Sequence, residues 1–110
     1  GTGLVTVTPD TLEGGQTADL VFTLTGTGSH AARKIKINIP DAWQWTASSD
    51  KVELLGSAFS GATLSINGKE LIIDQAQVSS AQTDTIIIKN LTAPERKGAY
   101  VFKFYTAADG

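Results

Sequence analysis

Two tryptophans stand two residues apart, at Trp43 and Trp45 in the run Ala42-Trp43-Gln44-Trp45. Side chains alternate with period two along an extended chain, so both indole rings leave the backbone on the same side. Paired aromatic faces held in this way form a surface on which a sugar ring stacks. The same pair can instead close the open end of a β-structure beside Phe59, because tryptophan is usually mostly buried. Both readings are carried forward, with Trp43 and Trp45 as the candidate ligand-binding residues.

Other side chains offer little chemistry. The one histidine, His30, follows a Gly- and Ser-rich loop. Nothing beside it marks a nucleophile, although a Ser–His–carboxylate site is assembled in space rather than in sequence; a solvated loop histidine is the simpler reading. Asp10, Asp41, Asp50, Asp74 and Asp84 fall near expected strand ends, where calcium sites of sandwich modules can form. The Asp-x-Asp-x-Asp-Gly spacing that builds a calcium loop from one segment is absent, so these acids read as strand terminators that keep loops soluble. None of the eleven acids stands out as one of a carboxylate pair for glycoside cleavage. With no cysteine in the chain, disulfides, thiolate nucleophiles and cysteine-based zinc sites are excluded. No phosphate loop or dinucleotide fingerprint occurs. The expectation is a non-enzyme with no cofactor and no metal.

Three lysines, Lys34, Lys36 and Lys103, raise the question of an internal isopeptide bond to Asn or Asp. The segment Ala93-Pro94-Glu95-Arg96-Lys97-Gly98-Ala99-Tyr100 is superficially like the tail of such a signature, but the glutamate expected just upstream is missing. The lysines fall on expected solvent faces instead, and Lys34 and Lys36 with Arg33 form a small basic stripe, the wet face of a strand, whose charge discourages strand-to-strand aggregation. Asn90-Leu91-Thr92 matches the N-glycosylation acceptor pattern, a short and commonplace match.

The elements that position these residues are strands. At 110 residues, with 41% apolar and 18% charged side chains, the chain has the length and composition of one globular domain with a single core. A net charge of −2 with dispersed lysines and arginines argues against nucleic-acid binding, which needs clustered positive charge. No apolar run approaches the ~18 residues of a membrane span, and no stretch resembles a signal peptide. The missing methionine and the linker-like ends Gly1-Thr2-Gly3 and Ala108-Asp109-Gly110 point to a domain, residues 1–110, excised from a longer multidomain protein.

The spacing predicts strands over 4–8, 18–25, 33–39, 51–55, 63–67, 70–74, 84–89 and 99–106. Leu20, Phe22 and Leu24 share one face of the second, and Ile35, Ile37 and Ile39 one face of the third. Asn67-Gly68 predicts a type I′ hairpin turn. In 75–82 only Val78 is an apolar foothold, in a loop or single helical turn. Ile86 and Ile88 point inward from a strand that 90–94 exits. The last stretch matters most: Tyr100, Phe102 and Phe104 line one face, three of the chain's six Phe and Tyr residues, and only a second apolar layer can keep them from water. Short strands at roughly ten-residue spacing indicate an all-β, immunoglobulin-like antiparallel sandwich of seven to nine strands, with a closed barrel as the alternative.

The segments VTVTPDTLEGGQTADLVFTLT, KIKINIPDAWQW and IIIKNLTAPERKGAYVFKFYT resemble Ig-like repeat modules of bacterial secreted and cell-surface proteins. In such modules an opening V-x-P…G strand and turn precede a strand ending I-P-x-x-W, and the last hairpin carries N-x-x-A-P…G-x-Y-x-F. The resemblance implies an extracellular or cell-surface location and a spacer or adhesive role, with neighbouring domains of the parent chain, a surface polysaccharide or another protein as partners. It brings no catalytic residues. The alternative from a different class is a carbohydrate-binding module attached to a secreted glycoside hydrolase, using Trp43 and Trp45.

Overall fold

Alternation of apolar and polar residues, with Gly and Pro between the runs, dictates a chain of short strands. A computed structural model describes residues 2–9, 11–27, 33–79, 81–96, 98, 100 and 102–107, with backbone alone for 2–4 and 27. It contains β1 (Thr2–Thr8), β2 (Thr17–Thr27), β3 (Lys34–Asn38), β4 (Val52–Leu55), β5 (Thr63–Asn67), β6 (Glu70–Asp74), β7 (Thr83–Thr92) and β8 (Lys103–Ala107). One sheet has the order β1-β2-β7-β4 and the other β5-β6-β3-β8. All pairings are antiparallel. Only β1–β2 and β5–β6 are joined as neighbours in one sheet; every other connection crosses between sheets. The eight strands form an all-β fold of sandwich shape.

The two sheets meet through the residues their alternation points inward. Leu20, Phe22 and Leu24 of β2, Ile35 and Ile37 of β3, Leu71 and Ile73 of β6, and Ile86 and Ile88 of β7 are all buried in one cluster. Phe22 reaches across to Phe104 of β8, with ring centroids 5.1 Å apart. This contact places β8 under β2.

Several details depart from the pattern read in the sequence. The β5–β6 turn is centred on Gly68 and Lys69, because Asn67 pairs with Glu70. Only Gly68 of that pair has positive φ, 62°, which is the type II′ arrangement with glycine first rather than type I′. Lys51 closes a short 3-10 turn, Ser49–Lys51, ahead of β4. Gly26 lies within β2, not in the loop after it; most of that loop, with His30, lies outside the described residues. Ala76 is fully buried beside Val78, so the 75–82 segment is anchored at two points.

The last strand begins at Lys103. Tyr100 and Phe102 precede it, while Ala99 and Val101 lie outside the described residues. Tyr100, Phe102 and Phe104 pack against the core but stay half-buried. The stripe is therefore covered on one side only.

β7 also runs further than its pattern predicts, to Thr92. Leu20 pairs with Ile88 and Ala18 with Leu91, so β7 carries one extra residue opposite Asp19. This is a bulge, and it shifts the inward parity from Ile86 and Ile88 to Leu91, which is fully buried. Asn90 adopts φ 60° there, a left-handed conformation that asparagine tolerates better than most residues. Its N–H is satisfied by Asp19 Oδ1 at 3.0 Å.

Candidate functional site: the tryptophan segment and an aromatic cleft

Pro40 ends the run begun by β3 and starts a turn closed by the Trp43 N–H donating to its carbonyl at 3.0 Å. The chain then runs beside the end of β7. Gln44 exchanges two backbone hydrogen bonds with Thr92, at 3.0 and 2.9 Å, continuing the sheet past β4. Burial alternates through this extended piece, with Trp43 buried, Gln44 exposed and Trp45 half-buried. Both rings thus lie on the core-facing side.

The two indoles are held differently. Trp43 is 7% exposed and meets Phe102 edge-on, at 5.0 Å and 75°, and Tyr100 at 6.4 Å and 87°. Edge-to-face geometry suits ring quadrupoles and adds about 0.5–1.5 kcal/mol per pair beyond area burial. Its Nε1 is buried without a hydrogen-bond partner. Trp45 packs on the rim of the core and donates its Nε1–H to the carbonyl of Lys89 at 2.9 Å. One ring is a wall of the interior and the other is pinned to β7.

Beside Trp43 lies a cleft of about 1100 Å³. Its apolar walls come from two distant segments: Leu12 and Leu20 from the β1–β2 region, and Pro94, Tyr100 and Phe102 from the β7–β8 connection. Glu13, Glu95 and Arg96 also line it. The Tyr100 hydroxyl donates to the Arg96 carbonyl at 2.8 Å, closing the loop on itself. The arrangement can seat an apolar or aromatic group or the face of a sugar ring. Leu12 was not singled out in the sequence, where its one signal is a lone apolar residue in a polar turn.

The acids are placed as follows. Asp41 and Asp50 are exposed, and Asp74 lies 3.5 Å from Lys34 in an ion pair; Asp10 lies outside the described residues. Asp84 departs from the expectation of a soluble strand end, for it is only 2% exposed. Its Oδ1 accepts from the Ala58 N–H at 3.2 Å and from Gln82 Nε2 at 3.4 Å, pinning the 3-10 turn Ser57–Phe59. A Cβ on Gly56 would collide with that oxygen. Among the described residues no group of three or more His, Asp or Glu side chains could hold a metal ion, and no helix is long and apolar enough to cross a membrane. Lys34 and Lys36 are half-buried and Lys103 is exposed.

No family model, curated protein or solved structure matches the chain.

Proposed function

We propose that the chain is a non-catalytic, Ig-like module of a secreted or surface-anchored bacterial protein, serving as a spacer or adhesive domain in a longer polypeptide. The observation that carries this reading is the filling of the interior. The space between the sheets is taken up by aliphatic and aromatic side chains, and the one buried acid among the described residues, Asp84, holds a turn. The Ig-like part is supported by strand order. With the β5–β6 hairpin counted as an insertion, β1-β2-β7-β4 follows the A-B-E-D sheet of immunoglobulin domains. The second sheet departs from that plan, because the hairpin joins β3 and no described strand follows β8 to pair with it. The bacterial surface setting rests on the sequence motifs.

The cleft beside Trp43 favours a second reading, a carbohydrate-binding module. Tryptophan fluorescence and retention on insoluble polysaccharides separate the two. The spacer reading expects a blue-shifted emission, poorly quenched and indifferent to oligosaccharides, and no retention. Retention that Trp43→Ala or Trp45→Ala abolishes without lowering thermal stability would replace it with the binding module.

A further inference from the structure

Among the described residues β1 is an edge strand without the usual protection. It is seven residues long, pairs only with β2, and keeps an unbroken register from Thr2↔Thr27 to Thr8↔Val21. Natural edge strands are blunted by charge, proline, a bulge or shortness. Thr2–Thr8 reads TGLVTVT, with no charge and no internal proline. The other edges are shorter, at four or five residues; β4 carries Glu53 and β8 carries Lys103.

The inner face of β1 also overhangs. Val5 and Val7 pair with the buried Leu24 and Phe22, so all four side chains share the inner face. Yet Val5 is 37% exposed, because β8 lies beneath β2 and the second sheet ends there. Val7 is only partly covered. Among the described residues the backbone edge has no partner strand, and Val5 beside it is left uncovered.

We propose that this edge pairs with β1 of a second copy, antiparallel about a two-fold axis at Val5, to make one continuous eight-stranded sheet. Full overlap of Thr2–Thr8 with itself sets the register: Val5 opposes Val5, Gly3 opposes Val7, and Thr2 opposes Thr8. No charge meets a like charge in that register. The two-fold keeps both inner faces on one side, so the exposed Val5 side chains cover each other. Pairing through one strand is a small interface, below the ~1,200 Å² at which stable complexes begin, so association depends on concentration. This inference does not rest on the spacer reading.

Sedimentation equilibrium of the unmodified chain should show its weight-average mass rising toward that of two chains as concentration increases. A mass fixed at one chain into the millimolar range overturns the proposal. Val5→Lys alone and Val5→Glu alone should each remain monomeric, and their mixture should associate. Hydrogen exchange on the unmodified chain gives a test free of any folding defect, with concentration-dependent protection in β1; protection appearing in β5 or β8 instead overturns the assignment. Since the chain has no cysteine, Val5→Cys offers a distance test. Directly opposed residues have Cα atoms about 4.5–5.5 Å apart, within the ~4.4–6.8 Å range of disulfides. Val5→Cys should cross-link readily under mild oxidation. Thr8→Cys, about 20 Å from its symmetry mate by strand rise, should not, and equal cross-linking of both would sink the register.

Discussion

Ile37 of β3 and Phe104 of β8 are register partners, yet only the isoleucine is sealed from water. Around Ile37 the neighbours Ile35, Leu71 and Ile73 are fully buried, strand against strand, and β7 answers with Ile86 and Ile88. Phe104 instead lies on β8, the edge strand of its sheet, and the rings of Tyr100 and Phe102 just before it stay half-covered beside the cleft. The aliphatic middle is a filled layer, while the aromatic flank is a surface with only one side packed. Side-chain size is thus a poor guide to what each residue contributes here.

The largest effect should come from the middle. Ile37→Ala removes buried methyl groups from a layer with strands on both sides, and should cost about 2–5 kcal/mol in urea unfolding. Phe104→Ala removes a larger side chain but from a half-buried site. It should cost about half of the roughly 3–5 kcal/mol typical of buried phenylalanine. If Phe104→Ala proved more damaging than Ile37→Ala, the distinction between filled middle and open flank would fall.

Asp84 is the polar exception in the middle. Asp84→Ala leaves the Ala58 N–H without its acceptor and should cost about 1–3 kcal/mol, the penalty for an unsatisfied buried group. Gly56→Ala sharpens the point, since its Cβ meets the Asp84 carboxylate and its φ of 118° suits glycine alone. In the Asp84→Ala background the carboxylate is gone, leaving the contact with the Cβ at position 84, 3.1 Å away, and the backbone strain. Gly56→Ala should therefore be less damaging there than in the unmodified chain, as a double-mutant cycle would read.

These cases also show what the residues disclosed in advance. The middle was legible because Ile35, Ile37 and Ile39 alternate with polar residues, and alternation is the physical cause of one-sided burial. The side chosen by the tryptophans was not. Their shared direction follows from spacing, but whether that direction is core or solvent depends on Gln44 bridging to Thr92, nearly fifty residues on. Leu91 was lost to the bulge, for a one-residue insertion reverses parity and no period-two count survives it. The signal was the polar pair Lys89-Asn90 set between apolar residues, with an asparagine able to turn left-handed. Asp84 looked like any strand-end acid, because what buries it is a turn from residues 56–59. The cleft joins segments about eighty residues apart, beyond any local pattern.

The bulge supplies the next effect in size. Asn90→Val places a β-branched residue at φ 60° and should cost about 1–2 kcal/mol, the penalty of the left-handed region. Asn90→Gly should be near neutral because glycine adopts that angle freely. Equal costs for the two would mean that the bulge contributes side-chain contacts rather than backbone geometry.

The smallest effect lies on the outer face of the first sheet, where Glu53 of the edge strand β4 forms an ion pair with Lys89 of β7. Glu53 accepts a hydrogen bond from the Lys89 ammonium and so raises its pKa above 10.5, against an opposing desolvation, with the Coulomb attraction of Glu53 and then of Asp19 adding to the rise. A raised pKa means that the folded state holds its proton more tightly than the unfolded one. Any stabilisation is thus fully present below pH 10.5 and disappears as pH climbs through the raised value. Both side chains are solvated, and exposed pairs contribute little. Glu53→Gln should lower the melting temperature at pH 7 less than any substitution above. That small difference should shrink in 1 M salt, where screening acts within about 3 Å, and vanish in strongly alkaline buffer. A loss comparable to that of Ile37→Ala would show that the outer face is not the minor partner that its exposure makes it.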